Sequence, residues 1–347
     1  MKKDLKFLCC QPDDDYYIWQ VHLWLESLRE IGHSNKAIVL VFTPNFREYN
    51  TKWGELEKLY PESEFFKLKD EDGISKILGI YIPILRPYIL MKYFQRNPQM
   101  REKAVFYCDS DILFTKHFNI EKYINDDIIY VSDTLSYINA TYFDSKVKDV
   151  LPDKLEEYKK RDILEETTKL VGISREIAEK YNMDSGGAQY LLKNIDASFW
   201  DKVITDCLKI RLHLQDVNKQ YFESESKGFQ AWCADMWAVL WNVWKREQEA
   251  KIVPEMEFAW SSDSVTKLER VGILHNAGIT GITQGDIPVF FKGTYHQGKS
   301  PFTDEYVEFV YNNEKSKTLC NHYYVQKLLE LKNNYYSNLK QTENGKQ

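Results

Sequence analysis

The chain has 347 residues, with 46 Lys and Arg against 52 Asp and Glu and a formal net charge of −6 at pH 7. That length buries a large core without disulfide or metal staples, and the acidic balance excludes the overall basic footprint of a nucleic-acid binder, though not a local basic groove. Hydrophobic residues at 43% and charged residues at 28% are ordinary for a globular fold, whereas 23 Tyr and 9 Trp supply many rings of the kind that stack against sugars.

Residues 5–10 form a first apolar strand, and 17–31 carry apolar positions at helical spacing (Ile18, Val21, Leu25, Leu28) up to Gly32. A β-branched run over 37–42 predicts a second strand, 53–60 a short helix and 64–68 a third strand. A helix begins near Arg86-Pro87, where proline suits an early helical position. Residues 104–108 form a fourth strand and run directly into Asp109-Ser110-Asp111. A further strand is expected over 128–132, then a charged, helix-rich excursion over 146–180. Asp184-Ser185-Gly186-Gly187-Ala188-Gln189 reads as a turn, capped by Asp184 or Ser185, that leads into an apolar helix. Helices are expected over 197–214 and 230–247, the latter carrying Trp232, Trp237, Trp241 and Trp244, more often core than platform. Gly-rich loops over 271–302 contain His275 and His296, and a polar tail from 333 is expected to fray.

Strands alternating with helices predict an α/β fold with a mostly parallel, Rossmann-like central sheet flanked by helices. Ligands in such sheets gather beyond the carboxyl ends of the strands, where Asp109 and Asp111 fall. We expect one domain over 1–332, with a nucleotide-binding half over 1–135 and an acceptor half with closing loops over 136–332. No run of about 18 apolar residues predicts a membrane helix. The six cysteines lack metal-ligand spacing, which predicts reduced thiols and a cytoplasmic chain.

The chemistry concentrates at the Asp-x-Asp pair. Five apolar residues precede it and three follow, so the acids interrupt a buried run, and burying adjacent carboxylates without a cation is costly. A hard divalent ion such as Mn²⁺ or Mg²⁺ satisfies both and can also grip diphosphate oxygens. Arg86 stands at a helix start that already favours an anion. Lys292 and Lys299 flank His296 and could act as point charges on a diphosphate. Asp235, an acid expected mid-helix among aromatics, suits orienting or deprotonating an acceptor hydroxyl or, equally, pairing as a buried acid with an arginine or a tryptophan N–H.

Val105 to Phe114, which holds Asp109-Ser110-Asp111, resembles the strand and Asp-x-Asp element of GT-A glycosyltransferases. The order of Tyr17-Ile18-Trp19-Gln20, Ile84-Leu85-Arg86-Pro87, Ser185-Gly186-Gly187-Ala188-Gln189, Asp235-Met236-Trp237 and Leu274-His275-Asn276 is similar to the hydroxyproline arabinosyl- and galactosyltransferase-like group, and more distantly to glycogenin-like retaining enzymes. The resemblance implies transfer of a sugar from a nucleoside-diphosphate sugar, a UDP-sugar by expectation, to a hydroxyl acceptor with retention. It implies a histidine as third metal ligand, His275 by preference over His296. Ser110, Gly186 and Gly187 would lie along the donor, with Asp184 or Gln189 near the anomeric carbon. The acceptor could be a glycan, a protein or a hydroxymethylated DNA base. Rival readings are a nucleotide-sugar-binding protein without catalysis and a haloacid-type phosphotransferase, whose motif follows the first strand rather than the fourth.

Overall fold

A computed structural model describes residues 3–45, 47–78, 81–296 and 298–336. Chain order begins with β1 (Leu5–Pro12), α1 (Asp15–Glu30), β2 (Ala37–Thr43), α2 (Thr51–Leu59), β3 (Glu64–Lys69), α3 (Leu85–Arg96) and β4 (Ala104–Tyr107). Every residue of β2 and β4 is buried, because helices cover both faces of the sheet, and their sequences are accordingly continuous apolar runs. After β4 come β5 (Ile112–Phe114), β6 (Ile129–Asp133), β7 (Gly186–Lys193), α4 (Ala197–Tyr221), α5 (Ala234–Lys245), β8 (Ala250–Ile252), β9 (Phe258–Trp260), β10 (Ile273–His275) and α6 (Cys320–Leu331).

The main sheet has seven strands in the order β3-β2-β1-β4-β7-β6-β8. Four of its pairings are parallel and two, β4 with β7 and β6 with β7, are antiparallel. The mostly parallel α/β sheet expected from the sequence is therefore present. A second sheet, β5-β10-β9, lies past the end of β4. One core packs α3, α4 and α5 on one face of the main sheet, with Trp237, Trp241 and Trp244 inside it. Another lies under α1 on the opposite face, and a third gathers around α6. Trp232 is 57% exposed.

Two expectations are corrected. Residues 186–193 form a strand, not a turn entering a helix: all eight are buried between β4 and β6. Gly186 and Gly187 serve packing, since a Cβ on Gly186 would lie 2.3 Å from the Ser132 carbonyl and one on Gly187 would lie 2.6 Å from Met236 Cε. The helix expected over 230–247 breaks into a 3-10 turn, Ala231–Cys233, followed by α5. Asp235 thus stands in the first turn, where the helix dipole favours a carboxylate, rather than mid-helix. At the carboxyl end of the chain, Tyr336 stacks on Phe302 and hydrogen-bonds His22 at 2.8 Å; residues 337–347 of the expected tail lie outside the described residues, as does Gln297. All six cysteines are free and buried, and no helix among the described residues is long and apolar enough to cross a membrane.

Candidate functional site

β1 and β4 run parallel, so their carboxyl ends open on the same side, and there the chain turns from β4 through Asp109 and Asp111 into β5. β5 leaves the main sheet and pairs antiparallel with β10, which sets His275 opposite Ile112. The Asn276 N–H then donates to the Asp111 carbonyl at 2.9 Å. This register brings a histidine from far along the chain onto the Asp-x-Asp turn. His275 Nε2 lies 3.4 Å from Asp111 Oδ1 and 3.8 Å from Asp109 Oδ2, and the three side chains form a group able to converge on one ion. His296 is not in that group. It is exposed and stacks on Tyr16 at 3.8 Å between centroids.

Cis ligands of an octahedral ion at 2.1 Å stand about 3.0 Å apart. The spacings found are slightly wider, so small rotations of the carboxylates would close them. Two carboxylates and one imidazole suit Mn²⁺ better than Mg²⁺, which prefers oxygen alone. Around the imidazole, Gln189 Nε2 lies 3.4 Å from His275 Nδ1, and Trp260 of β9 stacks on the ring at 5.2 Å and 25°. Gln189 reaches His275 because β7 bulges against β6: the register shifts between Val131 and Ser132, and Ala188 adopts a left-handed φ of 65°. Bulges re-aim side chains in this way.

Cations complete the cluster. Arg86, in the first turn of α3, donates from Nη1 to Asp109 and from Nη2 to Asp235. Lys292 donates to the second oxygen of Asp111. Burial alone would push the Asp111 carboxyl up, but Lys292 and His275 outweigh it and hold that group well below the usual carboxylate range. Burial drives the Asp235 carboxyl up, Arg86 opposes it, and the Asp109 charge adds to the rise. Beside the cluster lies a cavity of about 290 Å³ lined by Tyr16, Tyr17, Arg86, Ser110, Lys292 and His296, with Asp109 and Asp111 in its wall. Cys10 also faces it, but burial pushes its thiol up to about 12, which keeps it un-ionised and inert at neutral pH.

Of the residues predicted from sequence, Arg86, Asp109, Ser110, Asp111, Gln189, Asp235, His275 and Lys292 come together here. Asp184 does not join them; it accepts from the Ile252 N–H at 3.4 Å at the far edge of the sheet. Lys299 lines a different cavity, of about 690 Å³, with Asp15, Lys52 and Tyr295. Gly186 and Gly187 sit inside the sheet. Sequence reasoning missed Trp260 and Tyr16. The adjacent run Phe258-Ala259-Trp260 carried a strand signal too short to read beside a histidine fifteen residues on.

No family description matches the sequence, and no curated protein matches it. Among solved structures, the chain is similar to the bifunctional glycosyltransferase WbbM at 10% identity and a TM-score of 0.43, covering 94% of this chain and 52% of that one. It therefore spans about half the length of WbbM. It is also similar to the galactosyltransferase LgtC, at 10% identity and a TM-score of 0.40, with 94% and 95% covered. Mouse xyloside xylosyltransferase 1 aligns at 11% identity and a TM-score of 0.36, with 80% and 99% covered. These likenesses are weak, and the functional reading rests on the site.

Proposed function

We propose that this protein is a metal-dependent glycosyltransferase of the GT-A kind that takes a nucleoside-diphosphate sugar, by preference a UDP-sugar, and passes the sugar to a hydroxyl acceptor. The observation that carries the proposal is the convergence of Asp109, Asp111 and His275 beside a cavity that also presents Arg86 and Lys292. Three carboxylates against two fixed cations leave the cluster with spare negative charge, as a resident divalent cation requires. Asp109, Asp111 and His275 would hold Mn²⁺, which neutralises charge developing on a departing diphosphate.

The rest falls to the chain itself. Once a cation occupies the carboxylates, Lys292 and Arg86 are free to turn towards phosphate oxygens, Arg86 as a planar two-pronged donor and Lys292 as a point charge. Asp235 acts as a positioning residue through Arg86. With the ion on His275 Nε2, the ring carries its proton on Nδ1, and the adjacent Gln189 amide is placed to accept it. Asp235 Oδ1 is buried without a hydrogen-bond donor among the described residues, and a sugar hydroxyl is a suitable donor. We place Gln189 nearest the anomeric carbon, with retention of configuration as the expected outcome. Ser110 lines the donor cavity. The arrangement of motifs along the chain favours the hydroxyproline arabinosyl- and galactosyltransferase-like group.

The test is UDP release from a panel of UDP-sugars with Mn²⁺, followed by NMR of the released or transferred anomer. Release is expected from at least one donor and is lost in both Asp109→Ala and Asp111→Ala. Unchanged turnover in both variants would sink the assignment.

A further inference from the structure

A second cluster lies at the other end of the parallel strands. His33 sits between α1 and β2, at the amino-terminal edge of the sheet, and the segment leaving β5 brings His117 and Glu121 to it. One ligand atom from each of the three lies within 4.8 Å of the other two. His33 Nε2 is 3.3 Å from Glu121 Oε1, which matches the roughly 3.3 Å between two ligands of a tetrahedral zinc ion bound at 2.0–2.1 Å.

His33 is 7% exposed, and its ring lies against Phe7 at 5.3 Å and 24°. Neither of its ring nitrogens makes a well-directed hydrogen bond among the described residues; Nε2 faces the Glu121 carboxylate at ion-pair distance. A ring nitrogen buried without a well-directed hydrogen bond is unfavourable, and a metal–nitrogen bond would satisfy it. The His117 ring, 5.5 Å from that of His33, is exposed and free to rotate onto a shared ion. Lys36 Nζ, 3.7 Å from Glu121 Oε1, supplies the counter-charge for that carboxylate.

We propose that His33, His117 and Glu121 form a zinc-binding site, separate from the Asp109–Asp111–His275 cluster, with water in the fourth position. Two imidazoles and a carboxylate are a donor set that suits Zn²⁺. The ion would staple the α1–β2 connection to the segment that follows β5.

The test titrates zinc chloride alone into the full chain, stripped with EDTA and carrying Asp109→Asn and Asp111→Asn, so that the first cluster cannot supply the signal. One zinc per chain is expected, together with a rise in Tm as binding favours the folded state. His117→Ala and Glu121→Gln, both at accessible positions, should each weaken binding at least about tenfold, since even residues that only support a ligand cost that much. Lys36→Ala should tighten it by removing the competing cation. In the wild-type chain, His117→Ala should lower the zinc stoichiometry by one. Absence of zinc binding in the doubly substituted chain, or wild-type affinity in both His117→Ala and Glu121→Gln, would overturn the proposal.

Discussion

Replacing Gly186 by alanine tests whether β7 is held in register by close contact with β6. The new methyl carbon would stand 2.3 Å from the Ser132 backbone carbonyl and 2.5 Å from Val131 Cγ2. Ordinary contacts begin near 3.4 Å, so one strand must retreat by about 1 Å, and neither can rotate out of the way because the obstacle is backbone in a strand paired on both sides. Overpacking of this kind costs about 1–3 kcal/mol, and an unyielding neighbour places Gly186→Ala at the upper end. Gln189 lies three residues along the same strand, so the shift should also disturb its reach to His275; misplacements of about 1 Å can lower turnover by roughly a hundredfold. The assay is urea denaturation with UDP-sugar turnover measured in parallel, and Gly281→Ala, which meets nothing within 4 Å, serves as control. A Gly186→Ala midpoint equal to that of Gly281→Ala would refute the reasoning.

Buried His22 supplies a pH prediction. Burial lowers its pKa from 6.5 to about 3, with Arg29 adding to the effect. Between those values the unfolded chain binds the proton and the folded chain does not, so its contribution is complete above pH 6.5 and is lost as pH falls towards 3, by at most about 5 kcal/mol. Urea midpoints measured from pH 7 to pH 4 should fall, and should fall less steeply in His22→Gln; parallel slopes would contradict this. Asp235→Asn removes one of the two carboxylates that hold Arg86 and should weaken UDP binding about tenfold, or 1.4 kcal/mol, as read by calorimetry. Unaltered affinity would mean that Asp235 does not position the arginine.

The parts of the fold legible in the sequence are those with one dominant cause. β2 and β4 are apolar along nearly all their length, and β1 along most of it, because both sheet faces are covered, and α1 shows its buried stripe at helical spacing. β7 was hidden because Ser-Gly-Gly is the composition of a turn; only the proximity of β6 and Met236 explains those glycines. β5, β9 and β10 have three residues each, too few for any periodicity. Asp109 and Asp111 stood out as acids interrupting a buried run. Asp235 admitted two readings because its partner, Arg86, is 149 residues away. His275 could be preferred over His296 but not placed, since its position follows from the β5–β10 register. Trp260 stands in a run of three residues, too short to mark it as a neighbour of His275.

The central claim is that the two aspartates bind a cation which in turn binds diphosphate. Isothermal titration of UDP, with and without Mn²⁺, into the wild-type chain and Asp111→Asn measures this directly. The account predicts that Mn²⁺ tightens UDP binding in the wild type and has no such effect in the variant. Equal Mn²⁺ dependence in the two proteins would contradict it.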